Sequence, residues 1–300
     1  MPICRALSSQ GIAIAPRTYW ARRSRPPSRR ALADAALTEI LAGIYEPGPD
    51  GRRPPECLYG SVKMWEHLNR QGIRVARCTV ERLMRANGWR GVTRGRTVRT
   101  TIPDPAATRA PDLVRRDFAA GRPGQLHVAD FTYVPLEGGG FGYTAFVVDA
   151  FAGLIAGWEC SLSKQTAFVE RAIRQASAWR ARQGHPISGP AIHHSDAGSQ
   201  YTSVHFTETL LLAGLTPSVG TVGDALDNAL AETTIGLYKT ECTRADSPFR
   251  AGPIRTRADL EEITSAWVAW YNTARLMHRL GRRPPAEAEA EYYQQARDAA

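Results

Sequence analysis

Three hundred residues weighing 32.9 kDa, 43% of them hydrophobic and 22% charged, are too many for one small module and suggest roughly two domains at ~100 to 200 residues each. A mean hydropathy of -0.32, with no apolar run near the ~18 to 20 residues needed to span a bilayer, excludes membrane immersion and points to a cytoplasmic protein. The formal charge of +9 is uneven: residues 1–110 hold 20 basic and 8 acidic side chains, and the remainder holds 18 and 21, so a basic half precedes a slightly acidic one.

That split suggests a grip on a polyanion, usually nucleic acid, beside a second task; a merely solubilising arm is the alternative. Residues 1–30 end in five arginines and two prolines between Arg22 and Arg30 and read as a basic N-terminal arm. Leu32, Ala36, Leu37, Ile40, Leu41 and Ile44 recur at helical spacing and predict a helix over 31–45, stopped by Pro47-Gly48-Pro49. Val62, Trp65 and Leu68, a break at Gly72, then Val80, Leu83 and Met84 predict two short helices, making 31–92 a helix-turn-helix region. Its second helix would offer Arg77, Thr79, Arg82 and Arg85 to DNA phosphates and base edges, although a hairpin with solvated arginines has the same spacing. Residues 93–123, with Arg94, Arg96, Arg99 and four prolines, read as a linker.

Beyond residue 123 the period changes. Three apolar runs, Leu126–Val134, Tyr143–Ala150 and Leu154–Trp158, read as an antiparallel meander turned at Gly138-Gly139-Gly140 and Ala152-Gly153. There follow a helix over 165–183, a short strand ending at Ile192, a helix over 203–213, a strand over 215–219 and a long helix over 225–241. This order is ribonuclease H-like: an α/β fold with a mixed five-stranded sheet and flanking helices over 124–290, preceded by the all-α region. The five cysteines, at 4, 57, 78, 160 and 242, form no Cys-x-x-Cys pair, which speaks against a zinc ribbon or redox motif.

Asp130 interrupts the apolar face of the first strand, sharing its side with Leu126, Val128 and Val134, where an ionised carboxylate must be paired or metal-bound. Asp196 follows the fourth strand, at the rim where the chain leaves the sheet. Glu232 lies on the long helix, with Asn228 and Lys239 on the same face. Three carboxylates from two strand ends and a helix suit Mg2+, and paired ions suit phosphodiester chemistry. Asp149, Asp224 and Asp227 are rival ligands that spacing leaves open. His193 and His194, adjacent on a strand, point to opposite faces and make a poor zinc pair.

The strings Val128-Ala129-Asp130-Phe131-Thr132-Tyr133, His194-Ser195-Asp196-Ala197-Gly198-Ser199-Gln200-Tyr201 and Asp227-Asn228-Ala229-Leu230-Ala231-Glu232 resemble the integrase-like DDE core of insertion-sequence transposases, with 35 residues between Asp196 and Glu232. A tail of Trp270-Tyr271-Asn272, Arg275, His278-Arg279-Leu280-Gly281 and Pro284 resembles the closing signature of the IS-three family, OrfB type. The resemblance implies a retroviral integrase-type core whose catalytic and metal-binding triad is Asp130, Asp196 and Glu232, with two Mg2+ ions, replaceable by Mn2+, per site. It implies cleavage at element ends followed by strand transfer, with terminal inverted repeats and target DNA as double-stranded partners. Asn228 and Lys239 become DNA contacts, an upstream-frame OrfA product or fusion becomes a partner, and a dimer or larger synaptic complex is expected. A DNA-binding regulatory subunit, active only when fused to the upstream frame, and a plain ribonuclease H-type nuclease are the competing functions. The chain departs from the family in carrying His127 where Trp is frequent, and Ala152-Gly153 where Ser-Arg is usual.

Overall fold

The computed structural model describes residues 2–93, 111–114, 117–196, 204–220 and 228–299. The basic arm contains two helices that the arginine and proline content does not suggest, α1 (Pro2–Ser9) and α2 (Pro16–Ser24). Proline is tolerated in a first helical turn, where its missing N–H has no partner to lose, and α2 ends before Pro26-Pro27. Helix α3 (Arg29–Tyr45) begins at Ser28, whose hydroxyl accepts from the Ala31 N–H at 3.2 Å. Helices α4 (Ser61–Arg70) and α5 (Arg77–Ala86) follow, separated by a turn in which Gly72 takes a φ of +83°. Leu41, Met64, Leu68, Val80, Leu83 and Met84 are buried between the three helices, so the helix-turn-helix has its own packed interior.

Strands β1 (Leu126–Pro135), β2 (Phe141–Asp149), β3 (Leu154–Ser161), β4 (Ile192–Ser195) and β5 (Thr216–Val219) form one sheet in the order β3-β2-β1-β4-β5. The first three strands run antiparallel, and β4 and β5 join parallel to β1, giving the expected mixed sheet. The fourth strand begins rather than ends at Ile192, because its apolar pattern gives way to two buried histidines that still pair with β1.

Alternation along the strands separates two cores. Ala129, Ala145, Val147, Leu154 and Ala156 face α6 (Ala167–Arg182) and α7 (Val204–Leu212). Val128, Val134, Phe146, Val148 and Ile155 face α8 (Ala229–Tyr238) and α9 (Arg257–Thr273). Gly157 has no room for a side chain, since a Cβ there would lie 2.1 Å from the Ala172 carbonyl oxygen of α6. The described part of the long final helix of the core is shorter than the spacing suggests: α8 gives way to a π-helical turn over Lys239–Thr243. Helices α9 and α10 (Pro285–Asp298) have no counterpart in the sequence reading beyond the closing signature.

The helical region packs against the sheet. Its apolar interior is continuous with the α8–α9 face of the sheet through Tyr59, Trp270, Tyr271, Leu276 and Met277. The Tyr59 hydroxyl donates to the Ala274 carbonyl at 3.1 Å and accepts from the Leu276 N–H at 3.2 Å, and the Trp270 indole N–H donates to Glu56 at 3.1 Å. Much of the closing signature is therefore a docking surface between the two halves.

Candidate active site

The pairing of β1 with β4 places the first two carboxylates. Leu126 to Ala129 register against Ile192 to Ser195, so Asp130 and Asp196 are each the next residue on neighbouring parallel strands, which lie about 4.8 Å apart. They share the face of Val128 and His194, the face covered by α8. Both are half-buried. Glu232 lies in the first turn of α8, exposed toward solvent.

The electrostatics tie the three together. Asp130 is held well above the ordinary carboxylate range, first by its own desolvation and next by repulsion from Asp196, with Glu232 adding a smaller push. The Phe131 N–H, which donates to Asp130 Oδ1 at 2.7 Å, and the Lys239 ammonium pull the other way without offsetting it. Such a site favours a proton or a cation among the carboxylates. An oxygen-seeking divalent ion fits this donor set, although among the described residues no three His, Cys, Asp or Glu side chains close into a ready-made metal cage.

Asn228, expected beside DNA, makes its described contact within the protein. It is buried at the start of α8, and its Nδ2 donates to the Ala129 carbonyl at 3.0 Å, the residue immediately before Asp130. Its side-chain oxygen has no hydrogen-bond partner among the described residues. Asn228 is thus a positioning residue that fixes the helix carrying Glu232 against the strand carrying Asp130. Lys239 is exposed, and its ammonium lies 4.9 Å from the centre of the Tyr133 ring. The π turn that starts at Lys239 directs Glu241 inward, where it meets the Arg275 guanidinium and the Trp267 indole N–H.

Of the rival ligands, Asp149 is fully buried and already satisfied: it accepts from Arg180 at 2.5 Å, from the Gly124 N–H at 2.5 Å and from the Phe151 N–H at 3.0 Å. Burial pushes its pKa up, but His127, Arg180 and Gly124 outweigh burial and hold it below the ordinary range. Arg180 also binds Glu289 of α10, so Asp149 belongs to a structural network. Asp224 and Asp227 lie outside the described residues, as do residues 197–203 of the second motif. The adjacent histidines face opposite ways, His193 against Phe206 and His194 against Phe118.

On α5, Arg77 and Arg85 are exposed, with Arg77 paired to Glu81 at 3.3 Å. Arg82 is also exposed but pinned to Asp34 of α3 at 2.7 Å, and Thr79 is half-buried. A cavity of about 370 Å³ opens where α4 meets the end of α8, lined by Ser61, Lys63, Thr240, Glu241, Arg275 and His278. Lys63, which no motif in the sequence marks, lies 5.5 Å from the Tyr59 ring centre, and burial and Arg275 lower its pKa to about 8 against the pull of Glu241. The glycine of Ala152-Gly153 has its own reason: its backbone takes a φ of +69°, in the left-handed region, beside the Arg279 guanidinium that reaches across from the closing signature.

Comparison with known proteins agrees with this layout. Residues 33–97 match an HTH-like domain, and residues 120–225 and 213–285 match integrase core domain models. The chain is 47% identical over 282 residues to the protein assigned as transposase of insertion sequence element IS986/IS6110 in Mycobacterium tuberculosis, covering 94% of this chain and 97% of the relative. It is 46% identical to the transposase of IS629 from Shigella sonnei, covering 97% and 92% of the two chains, and 45% identical to that of IS3411 from Escherichia coli, covering 60% and 71%. Among solved structures, the HTLV-2 integrase catalytic core domain in complex with magnesium aligns with 57% of this chain and 99% of its own at 17% identity and a TM-score of 0.43.

Proposed function

The chain belongs to the insertion-sequence transposases of the IS-three family, OrfB type, which act in transposition through DNA integration, and from that premise we propose that Asp130, Asp196 and Glu232 form its DDE catalytic triad. The observation that carries the assignment is the β1–β4 register, which sets Asp130 and Asp196 side by side at the sheet rim, with the start of α8 and its Glu232 tied to the residue before Asp130. The three carboxylates would hold Mg2+, or Mn2+ in its place, two ions per site once DNA phosphates complete their ligand shells. When bound, the ions supply Lewis-acid stabilisation of the phosphoryl oxygens and of the attacking and leaving oxygens.

The residues of the chain prepare that chemistry. Asp130 and Asp196 would supply two oxygen donors at the sheet rim, and Asn228 ties the start of α8, which carries Glu232, to the strand of Asp130. In cleavage a water oxygen attacks the phosphorus, loses a proton and stays on the 5'-phosphate, while the bond to the 3'-oxygen breaks and that oxygen takes up a proton to become the free 3'-hydroxyl. In strand transfer that 3'-hydroxyl attacks a target phosphodiester, loses its proton and displaces a second 3'-oxygen. Lys239 offers its ammonium to a phosphate near the scissile bond. Arg77, Thr79, Arg82 and Arg85 of the 31–92 region grip the terminal repeats, which assigns recognition to that region and chemistry to 124–290. The resemblance adds an upstream-frame OrfA product as partner, and joining two ends calls for at least a dimer.

The test is substitution. Asp130→Asn, Asp196→Asn and Glu232→Gln should each lower divalent-metal-dependent end cleavage and joining by on the order of 10³-fold or more while leaving end binding intact. Full cleavage by any one of them would sink the triad assignment.

A further inference from the structure

Strand β1 outruns the parallel part of the sheet. β4 pairs with it only from Leu126 to Ala129, whereas β1 continues to Pro135 with β2 as its partner. The residues beyond Asp130 therefore form a flap whose β1 edge is open beside the carboxylates, while β3 backs it through β2 as far as the Tyr143–Ser161 pair. Phe131 and Tyr143 of this flap pack on Phe168 of α6. Tyr133 and Phe141 do not: they remain 38% and 48% exposed, with ring centres 5.2 Å apart at 81°.

The flap is held firmly. Its tip turns through Gly138, Gly139 and Gly140, all at positive φ, and the Glu137 N–H donates to the Ile254 carbonyl at 2.8 Å. Arg255 pairs with the Glu137 carboxylate at 2.7 Å. Tyr133 lies three residues from Asp130, about 10 Å at ~3.3 Å per strand residue, and the odd offset starts its side chain on the α6 side of the sheet. It meets the carboxylate side only round the β1 edge that β4 leaves open, where Lys239 reaches its ring. Its other neighbour is a cation, Lys239, rather than an apolar rim. Large aromatics left outside a core, fixed in place and flanked by an ammonium suit a base with its attached phosphate better than they suit a protein partner.

We propose that Tyr133 and Phe141 form a stacking platform for an unpaired nucleobase next to the scissile phosphodiester, with Lys239 holding that nucleotide's phosphate. This rests on the assignment of Asp130 to the catalytic triad. Stacking is sequence-tolerant, so the platform orients a frayed or already cleaved end without reading it, while the helix-turn-helix does the reading.

The experiment uses the full chain and element-end duplexes taken from the DNA flanking the gene, either blunt or with a short single-stranded overhang at the cleaved end. The parent should bind the overhang end more tightly than the blunt end. Tyr133→Ala and Phe141→Ala should each weaken overhang binding by on the order of ten-fold and leave blunt-end binding unchanged, and Tyr133→Phe should restore it. With 5-iodouracil in the overhang, irradiation should crosslink Tyr133 or Phe141. Parent-like overhang binding by both alanine variants, or crosslinks that miss both rings, overturns the platform. So does a change in sedimentation of those variants without loss of overhang binding, which would make the patch a contact between copies. The crosslink should persist in Asp130→Asn, where cleavage stops. Persistent cleavage there with the crosslink present defeats the triad alone, whereas a missing crosslink with cleavage abolished defeats the platform alone.

Discussion

A carboxyl whose folded pKa lies above its unfolded one contributes stability where it is protonated, and that contribution is lost as pH rises through the folded value. Asp130 is such a group, raised by desolvation and then by Asp196 and Glu232. Near neutral pH its charge therefore opposes folding unless a cation sits beside it. Asp130→Asn should raise the melting temperature of metal-free protein by about 2 to 4 °C, the shift for ~1 kcal/mol in a chain of this size. Added Mg2+ should then stabilise the parent but not the variant, measured by calorimetry at pH 7; an equal Mg2+ shift in both would place the ion elsewhere. The positions of Asp130 on an apolar strand face and of Asp196 just past a strand end were legible in the sequence because strand alternation and the strand boundary give them, whereas their joint role rests on the family resemblance. The contact of Asn228 was not legible, because its partner is the Ala129 carbonyl, 99 residues away in the chain, and helical spacing gives only a face and never what the face meets. The same limit left Asp149 as a rival, since its satisfaction by Arg180 is visible only once the sheet and α6 are assembled.

At the scale of elements, the strands were read closely because their burial on both faces leaves continuous apolar runs, and the helices less so. Helix α9 buries Leu260, Ile263, Thr264, Trp267, Val268, Trp270 and Tyr271, but its threonine and exposed acidic residues blur the stripe, so the resemblance to a family signature masked a helix. β4 was misplaced because its inward residues are histidines. One of them, His193, makes the element acid-sensitive. His193 is fully buried with neither ring nitrogen hydrogen-bonded among the described residues, and desolvation, followed by the charges of His127 and His194, lowers its pKa to about 3. A depressed histidine contributes stability above its unfolded pKa of ~6.5 and loses it as pH falls toward the folded value. Between pH 6 and 4 the group should contribute a slope of about 1.4 kcal/mol per pH unit. Urea unfolding of His193→Phe across that range should show a correspondingly shallower loss of stability, and an unchanged slope would assign the acid sensitivity to other groups.

For the whole molecule, the uneven charge suggested two independent bodies, one to grip and one to react, and the continuous interior replaces that picture with a single packed unit. The seam was illegible because its contacts are remote in sequence: Tyr59 meets Ala274 across 215 positions, and Glu241 meets Arg275 across 34. The pair Glu241–Arg275 is the polar pin of that seam, buried beneath Tyr59 and beside the cavity at the start of α4. Removing one member of a buried ion pair leaves an uncompensated charge and costs about 3 to 5 kcal/mol, whereas replacing both can be nearly neutral. Arg275→Met should therefore destabilise the protein strongly, and the double variant Arg275→Met with Glu241→Gln should recover most of the loss, since glutamine still accepts from the Trp267 indole. Hydrogen exchange locates the effect. In the parent, amides of α4 and α5 should exchange with the same free energy as those of β1 and β2, as one cooperative body. In Arg275→Met the helix-turn-helix amides should open first, and end cleavage should fall further than end binding, because recognition survives while its fixed position relative to the core does not. If the helical amides of the parent already exchange well ahead of the sheet, the two halves are coupled only through DNA.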